Sequence, residues 1–337
     1  MGSRPLLAVT MGDPVGIGPE IVVRTFATAT GVAARGLIVG DPLVVRRAIE
    51  VCDLQLDVHP VGSVTAARFD PGTVDVLDTR ALAEALPWGE IDARAGRAAV
   101  AAIERATAEA LAGRVDAVVT GPINKEAIWA AGSKHLGHTE MLGALTGSPS
   151  PATMFVVRQL QIFFTTRHLA LREAICQVTR ERVLDAIQSA WSALEVFGYD
   201  QPRLAVAALN PHGGEGGNFG TEELEHIGPA CDDARAAGLA VAGPIPADSV
   251  FHQGLEGRFD GVLSHFHDQG HIAAKTFDFA DTVSVTVGIP IVRTSVDHGT
   301  AFDIAGTGRA SADTMLAAYR AGARFAPFAA RARRQWG

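Results

Sequence analysis

The chain has 337 residues with 29 Lys or Arg and 37 Asp or Glu, which gives a formal net charge of −8. This length predicts about two domains or one large α/β domain, and the acidic balance without a long basic run argues against a nucleic-acid partner. No stretch reaches the roughly 20 apolar residues of a membrane helix, and the N-terminal apolar segment is too short for a signal peptide. We therefore expect a cytoplasmic protein without membrane contacts.

Apolar strands and helices alternate along the first half of the chain. A glycine-rich turn follows the first strand, but its G-x-x-x-G-x-G spacing is not that of the dinucleotide fingerprint. Residues 53–92 show a less regular, proline-containing pattern, and a loop is expected around Gly137 to Glu140. The predicted strands are 6–11, 36–40 and 115–120. One predicted helix begins near residue 21, and two others cover 42–52 and 93–112.

The second half continues the alternation. Apolar residues recur at helical spacing from Leu171 to Phe197, and a glycine-rich loop at 210–220 separates a strand from the next helix. A C-terminal helix is expected from Ala312. The strands are continuous apolar runs, which indicates an α/β fold with a mainly parallel or mixed sheet covered on both faces. The predicted strands are 152–157, 161–165, 204–209, 241–246, 261–263, 283–287 and 289–296.

Histidines follow several of these strands. The stretch SHFHDQGHIAAK, residues 264–275, holds three of them directly after a buried strand. His168, His212 and His267 each lie just beyond the end of a strand. They could meet at one ion if those strands are neighbours in one sheet, or if they come from two subunits that face each other across a cleft. Three neutral imidazoles suit Zn²⁺, Co²⁺, Ni²⁺ or Fe²⁺ better than Mg²⁺ or Ca²⁺. The alternatives are a histidine-rich surface loop and histidines that only satisfy local hydrogen bonds.

A second group of residues could hold an anion. His138, Thr139, Lys275 and Arg293 all lie near predicted loop or strand ends, where they could bind a phosphate or carboxylate by charge-assisted hydrogen bonds. For Lys275 and Arg293 an ordinary surface charge is the alternative. Together with the histidines, these residues predict a site for a small anionic molecule.

Six motifs, in this order, resemble the 4-hydroxythreonine-4-phosphate dehydrogenase (PdxA) family, which is associated with pyridoxine (vitamin B6) biosynthesis. The resemblance covers nearly the whole chain, and the ordered set is far more specific than any one motif. The motifs are MGDPVGIGPE at 11–20, TGPINKEA at 120–127, GHTE at 137–140, NPHGGEGG at 210–217, HDQGH at 267–271 and RTSVDHGTAFDIAGTG at 293–308.

The resemblance implies the isocitrate and isopropylmalate dehydrogenase-like fold, with two α/β domains and a cleft between them. The expected bounds are 1–125 plus 296–337 for the large domain and 126–295 for the second. NAD or NADP would bind without a Rossmann fingerprint, on a loop that resembles the adenosine-binding loop of those enzymes. The family also implies a homodimer whose active site is shared between subunits. The implied cofactor-binding residues are Asp297, His298, Gly299, Asp303 and Gly306.

Carried over by position, the family's divalent-metal ligands fall on His168, His212 and His267, the three histidines already noted at strand ends. One ion, expected as zinc, cobalt, manganese or magnesium, would sit there. The implied substrate contacts are His138, Thr139, Lys275, Ser284 and Arg293, and the catalytic candidates are Lys275, Asp248 and Asp268. The identity of the general base stays open, because a water on the metal could also serve.

Ser284 is a departure, since the family usually has asparagine at this position. A hydroxyl replaces an amide there, so the substrate group that the family binds at this point is expected to differ. The HDQGH motif, with His271, looks like that of the catabolic, second-type branch.

The expected reaction is a metal-dependent, NAD(P)-linked oxidation, with decarboxylation, of a phosphorylated hydroxy acid such as 4-phosphohydroxy-L-threonine or a four-carbon sugar-acid 4-phosphate. An alternative substrate is an unphosphorylated cis-dihydrodiol carboxylate. Alternatives from other classes are a phosphate acyltransferase-like enzyme and a non-catalytic metal-binding regulator.

Overall fold

A computed structural model describes residues 4–29 and 31–337. The chain divides into two compact units, Met1–Ala152 with Val283–Gly337, and Thr153–Thr282. The bounds expected from the resemblance were 125 and 296, whereas the units divide at 152 and 283. Across the part of the chain that is described, no helix combines the length and the apolar character needed to cross a membrane.

Strands of both units end in polar loops. In the first unit the strand order is β3-β4-β2-β1-β5-β12-β11, and in the second it is β6-β7-β10-β8-β9. β11 and β12 are antiparallel, as are β6 and β7. The strands are β1 Leu6–Thr10, β2 Arg35–Gly40, β3 Asp57–Val61, β4 Thr73–Asp78, β5 Ala117–Thr120, β6 Ala152–Val157, β7 Leu160–Phe164, β8 Leu204–Ala207, β9 Val241–Ile245, β10 Gly261–Ser264, β11 Val283–Val287 and β12 Arg293–Ser295.

Helices connect the strands, and several begin at a capping side chain. Asp41, Asp92 and Thr179 accept backbone N–H groups at the starts of α2, α3 and α7. The helices are α1 Gly18–Thr28, α2 Pro42–Val51, α3 Ala93–Leu111, α4 Lys125–Ala130, α5 His138–Thr146, α6 Leu171–Cys176, α7 Arg180–Val196, α8 Gly228–Ala236, α9 Ala247–Leu255, α10 His267–Phe277, α11 Asp313–Phe325 and α12 Ala329–Trp336.

Each unit has its own apolar core. In the first unit, residues of β1, β2 and β5 pack against α3, with Leu37, Val118 and Ile103 fully buried. In the second unit, Ile162, Ala205 and other residues of neighbouring strands pack against α9. β1 and β5 are buried along their whole length, as expected for parallel strands covered on both faces. The α/β fold predicted from the sequence is confirmed.

Three local predictions were wrong. Residues 53–92 contain β3 and β4, and Pro60 is tolerated because β3 is the edge strand of its sheet. The single helix predicted over 171–197 is two helices, and Thr179 caps the second. His138 and Thr139 open the helix α5 instead of lying in a loop, because the Met141 N–H already donates to the Gly137 carbonyl at 3.2 Å and closes the first helical turn around them.

Candidate functional site

Arg293 forms the centre of a polar cluster in the first unit. It opens β12 and is 3 % exposed. Its Nε and Nη2 donate to the Thr120 hydroxyl, the latter at 2.6 Å, and its Nη1 donates to the Thr286 hydroxyl at 3.0 Å. A guanidinium stays protonated when it is buried, and the hydroxyls that it bonds here carry no charge.

His138 lies beside this charge. Its Nε2 atom is buried and has no hydrogen-bond partner among the described residues. Burial, together with the charge of Arg293, holds the pKa of His138 well below its usual range. The imidazole is therefore neutral at pH 7 and can donate a hydrogen bond to a bound oxygen. It is also the first residue of α5, where backbone N–H groups without helical partners favour a negative charge.

Two further predicted substrate residues belong to the same unit. Thr139 follows His138 in the first turn of α5. Ser284 pairs with Ser295 while Thr286 pairs with Arg293, so all four side chains lie on one face of the antiparallel pair. Ser284 is 9 % exposed. The structure thus places Ser284 on the sheet face that carries Arg293.

The predicted nucleotide loop, residues 297–308, is held to the helix α1. Glu20 Oε1 accepts the Gly306 N–H at 2.6 Å, and Arg24 Nη2 donates to the Gly308 carbonyl. Gly306 has a φ of +77°, and a Cβ there would lie 2.4 Å from the Trp88 ring, so this position requires glycine. The absence of a side chain at Gly306 thus lets the Trp88 ring pack directly against the backbone of this loop.

The remaining predicted cofactor residues lie along the same loop. His298 uses both ring nitrogens locally, with the Gly299 carbonyl and the Thr314 hydroxyl, each at 2.9 Å. Gly299 and Asp303 are exposed, and Asp297 is half-buried. The hydrogen bonds to α1 thus hold the part of the loop around Gly306 and Gly308, whereas Asp297 and Asp303 lie nearer to solvent.

In the second unit, His168 and His267 face each other. Their ring centroids are 6.0 Å apart, and both border a cavity of about 280 Å³ with Arg167, Phe266 and Asp268. Two nitrogens bound to one zinc ion are at most about 4 Å apart, and rings at this separation can present nitrogens at that distance. The pair would supply two of the imidazoles of a divalent-ion site.

Carboxylates orient two of the three predicted ligands. His267 Nδ1 donates to Asp268 at 2.7 Å, and His212 Nδ1 donates to Glu215 at 3.1 Å. This leaves the lone pair on Nε2 in both rings, which is the arrangement that metal-binding histidines commonly have. However, no three His, Cys, Asp or Glu side chains within 4–29 and 31–337 are grouped closely enough to hold a metal. His212 is the predicted ligand that the structure does not bring to the pair.

The loop that carries His212 has an unusual backbone. Residues 212 to 217 all have positive φ, including 53° at His212 and 46° at Glu215. A non-glycine residue in this conformation costs about 1–2 kcal/mol, so the surrounding structure has to hold it. Buried Glu223 does so, because its Oε1 accepts the N–H groups of Leu209 and Asn210 at 2.8 and 2.7 Å.

The catalytic candidates lie in different parts of the second unit. Lys275 is in the last turn of α10, with its Nζ 5.5 Å from the centre of the Phe279 ring. Asp248 is exposed in the first turn of α9. Asp268 is bonded to His267, so its contacts indicate an orienting role more directly than that of a base.

His271 has a structural role that the sequence did not show. Its ring stacks on His267 with centroids 3.6 Å apart, and its Nδ1 lies 2.7 Å from the His267 carbonyl. Phe155 and Phe164 contact the same imidazole. His271 thus packs the His267 ring in place.

The sequence also did not predict three further residues that hold loops of the site, namely Glu20, Arg24 and Glu223. Each binds backbone groups that are distant in the chain, and the local sequence does not indicate which groups these are.

A larger cavity of about 690 Å³ lies in the first unit between α3, α5 and two loops. Met141, Leu145 and Val100 form part of its wall, and Arg97 and Lys134 are among its charged residues. It contains none of the residues predicted for the site.

The sequence matches the family model described as pyridoxal phosphate biosynthetic protein PdxA over residues 33–322. It is 54 % identical over 331 residues to a Cutibacterium acnes protein provisionally named D-threonate 4-phosphate dehydrogenase, covering 97 % of this chain and 96 % of that one. A protein of the same provisional name from Symbiobacterium thermophilum is 52 % identical, with 97 % and 98 % covered. The crystal structure of 4-hydroxythreonine-4-phosphate dehydrogenase from Klebsiella pneumoniae aligns with a TM-score of 0.89 at 40 % identity, covering 96 % and 98 %.

Proposed function

Because the chain belongs to the PdxA family of dehydrogenases, we propose that it oxidises D-threonate 4-phosphate or a close four-carbon acid phosphate, with a divalent metal and NAD or NADP. The names of the Cutibacterium acnes and Symbiobacterium thermophilum relatives support threonate catabolism over pyridoxine biosynthesis. The observation that carries the proposal is the buried Arg293 beside the neutral His138 at the start of α5.

This cluster has the donors that a phosphate or carboxylate requires. Arg293 supplies the charge, the Nε2 of His138 supplies a buried donor without a partner, and the first turn of α5 supplies backbone N–H groups. Thr139 adds a hydroxyl. We assign the anionic end of the substrate to these residues, so that the reacting carbon is held in one orientation. Ser284, on the sheet face of Arg293, would contact the same end.

Residues of the second unit would hold the metal. His168 and His267 fit one ion, Asp268 fixes the ring orientation of His267, and His212 is proposed as the third ligand. When bound, a divalent ion would supply the positive charge that lowers the pKa of the substrate hydroxyl and offsets negative charge on the substrate as CO₂ is lost. The nicotinamide of NAD or NADP would accept the hydride. Lys275 would neutralise a negative charge on the substrate, and Asp248 is the proposed group that removes the proton.

We further propose a homodimer with a shared active site. Large apolar side chains are exposed on the second unit, including Leu171 at 55 %, Leu224 at 58 %, Ile272 at 62 % and Phe279 at 60 %. Exposed apolar side chains lose contact with water when another protein covers them, and we propose that a second copy of this chain covers some of these.

The direct test measures NAD(P)H formation at 340 nm with D-threonate 4-phosphate, D-erythronate 4-phosphate, 4-phosphohydroxy-L-threonine and an unphosphorylated cis-dihydrodiol carboxylate. We expect turnover of a four-carbon acid phosphate that EDTA abolishes and added Zn²⁺, Co²⁺ or Mn²⁺ restores. Turnover of the unphosphorylated diol alone would show that the Arg293 cluster binds a carboxylate and not a phosphate. Turnover that is insensitive to chelators would remove the metal from the proposal.

A further inference from the structure

Hydroxyl groups of two neighbouring strands hold the guanidinium of Arg293. β12 lies between β5 and β11, and Arg293 is its first residue. The hydroxyl of Thr120, the last residue of β5, accepts the Nε–H at 3.1 Å and an Nη2–H at 2.6 Å. On the other side, the hydroxyl of Thr286 in β11 accepts an Nη1–H at 3.0 Å. All three nitrogens of the guanidinium are therefore bonded, and the side chain is held from both neighbouring strands.

A further hydroxyl fixes the orientation of the first. Because the Thr120 oxygen accepts from Arg293, its own hydrogen points elsewhere, and it is donated to the Ser295 hydroxyl at 3.0 Å. The Ser295 hydroxyl donates in turn to the Thr120 carbonyl at 3.3 Å. Thr120 and Ser295 are direct partners across β5 and β12, and both are buried. The hydroxyl hydrogens of Thr120 and Ser295 thus both have acceptors, as buried polar groups require.

Neutral acceptors suit a guanidinium that binds an anion. A long arginine side chain has many rotamers, and holding it in one of them before the ligand binds reduces the entropy that binding costs. A carboxylate could hold it as well, but its negative charge would repel an anionic ligand. Threonine hydroxyls hold the guanidinium plane without adding charge, and the branched Cβ of threonine restricts the rotation of the hydroxyl itself.

We propose that Thr120 and Thr286 are positioning residues that fix the plane of the Arg293 guanidinium for the anionic group of the substrate. Ser295 supports them by orienting the Thr120 hydroxyl. The inference rests on the proposed function, since it takes Arg293 as a residue that binds this group. None of the three hydroxyl residues was predicted as a site residue from the sequence.

The test measures steady-state kinetics of full-length variants with D-threonate 4-phosphate and D-erythronate 4-phosphate. Thr120→Val and Thr286→Val keep the shape of the side chain and remove the hydroxyl, whereas Thr120→Ser and Thr286→Ser keep the hydroxyl. Thr294→Val is the matched control. Thr294 is also a buried threonine of β12, but its side chain points to the opposite face of the sheet, where its hydroxyl donates to the Ala318 carbonyl at 2.8 Å.

We expect both valine variants to raise the KM roughly 5- to 30-fold, less than removal of the guanidinium itself, because each loses hydrogen bonds of a charged group. The kcat should change little, since the anionic group is bound alike in the ground state and the transition state. The serine variants should recover most of the lost affinity. Thr294→Val should lower the melting temperature and leave the KM unchanged, because a less stable fold reduces the amount of active enzyme and not its affinity. If Thr120→Val does not fold, Thr286→Val and Thr286→Ser decide, since they change a separate bond to the same guanidinium.

Three results would overturn the inference, and they differ in what else they remove. If the wild type oxidises an acid phosphate and the valine variants keep its KM, the hydroxyls only stabilise the fold, and the proposed function stands. If Thr294→Val raises the KM as much as they do, the change reports a general loosening of β12, and the proposed function again stands. If the wild type oxidises neither acid phosphate, both the inference and the proposed function are wrong.

Discussion

At the scale of single residues, two buried ionisable side chains of the first unit, Arg293 and Asp13, differ in their hydrogen bonding and therefore in their expected roles. Arg293 is buried and donates to the hydroxyls of Thr120 and Thr286, which carry no charge. Asp13 is also fully buried, yet its Oδ2 atom has no hydrogen-bond partner among the described residues. The first arrangement predicts an effect on substrate binding, and the second predicts an effect on stability.

Substituting Arg293 with lysine should impair binding of the anionic substrate. Lysine keeps the charge but loses the planar fork that bonds Thr120, Thr286 and a bound oxygen together. Loss of one charge-assisted hydrogen bond of about 1.5–3 kcal/mol corresponds to a decrease in kcat/KM of roughly 10- to 100-fold. Steady-state kinetics with the phosphorylated acid measures this. Arg203→Lys, at an exposed pair with Asp260, is the control, and equal values for both variants would contradict the assignment.

Asp13→Asn should stabilise the protein at neutral and alkaline pH. Burial raises the pKa of Asp13 to about 6, against the hydrogen bond from the Val15 N–H, which lowers it. The folded protein therefore holds this proton more tightly than the unfolded chain, whose aspartates titrate near 3.9. The contribution of Asp13 to stability is present below about pH 4 and is lost as the pH rises through 6.

The size of the effect follows from the shift. About two pKa units correspond to roughly 3 kcal/mol, so Asp13→Asn should gain up to this amount over the wild type between pH 4 and pH 7. Urea denaturation at a series of pH values measures the difference. Asp57→Asn replaces an exposed carboxylate and serves as the control. A constant difference between Asp13→Asn and the wild type across this range would show that Asp13 does not titrate there.

At the scale of elements, the loop after β8 depends on a neighbouring helix for its shape. Residues 212 to 217 form a left-handed turn, and Glu223, at the start of a short π-helical segment Glu223–Ile227, binds the backbone that leads into it. Burial alone would raise the pKa of Glu223, but hydrogen bonds from Asn210 and Leu209 lower it overall. The ionised carboxylate is therefore the form that holds the loop.

Glu223→Gln should loosen this loop and leave the rest of the unit folded. The neutral amide accepts weaker hydrogen bonds from Leu209 and Asn210, so the expected loss is about 1–2 kcal/mol of stability. Hydrogen exchange of these two amides should become faster, and the difference from the wild type should shrink on acidification, as Glu223 becomes protonated. Glu222→Gln, which loses one bond to Asn210, is the matched control. Unchanged exchange at Leu209 and Asn210 would show that the glycine backbone holds the turn by itself.

The elements themselves were largely predictable from the sequence. Continuous apolar runs predict β1 and β5, because strands that are buried on both faces carry apolar residues at every position. Helical periodicity and the glycine that follows it predict α3. β3 was missed because an edge strand can contain Pro60 and polar residues. The break before α7 was missed because the apolar spacing continues across Thr179, and only its capping bond starts a new helix.

The site was predictable to a smaller extent. His168 and His267 were predicted from strand ends, and they face each other. Whether His212 joins them stays a prediction. The bonds of His265 to Thr165 and Ala207 could not be predicted, because they join groups 100 and 58 residues apart and one of them is a backbone carbonyl. Local sequence shows where a side chain leaves a strand, but not which distant backbone group it meets.

At the scale of the molecule, the residues proposed for one reaction belong to two units. Arg293 and His138 belong to the first and the proposed metal ligands to the second, and each set lies at strand ends or at the starts of helices. The proposed dimer would cover exposed apolar side chains of the second unit, and size-exclusion chromatography with light scattering tests whether it forms. Leu171→Asp should then shift the protein toward the monomer, whereas Leu111→Asp, also at an exposed apolar position but in the first unit, should not.

Mixing two inactive variants tests whether the active site is shared between subunits. His138→Ala removes a residue of the first unit, and His267→Ala removes one of the second, so each homodimer should be inactive. In a shared arrangement, a mixed dimer has one site with both substitutions and one intact site. Random mixing makes half of the dimers mixed, so about a quarter of wild-type activity should return after joint unfolding and refolding. If all residues of a site came from one chain, every site would carry one substitution, and no activity would return.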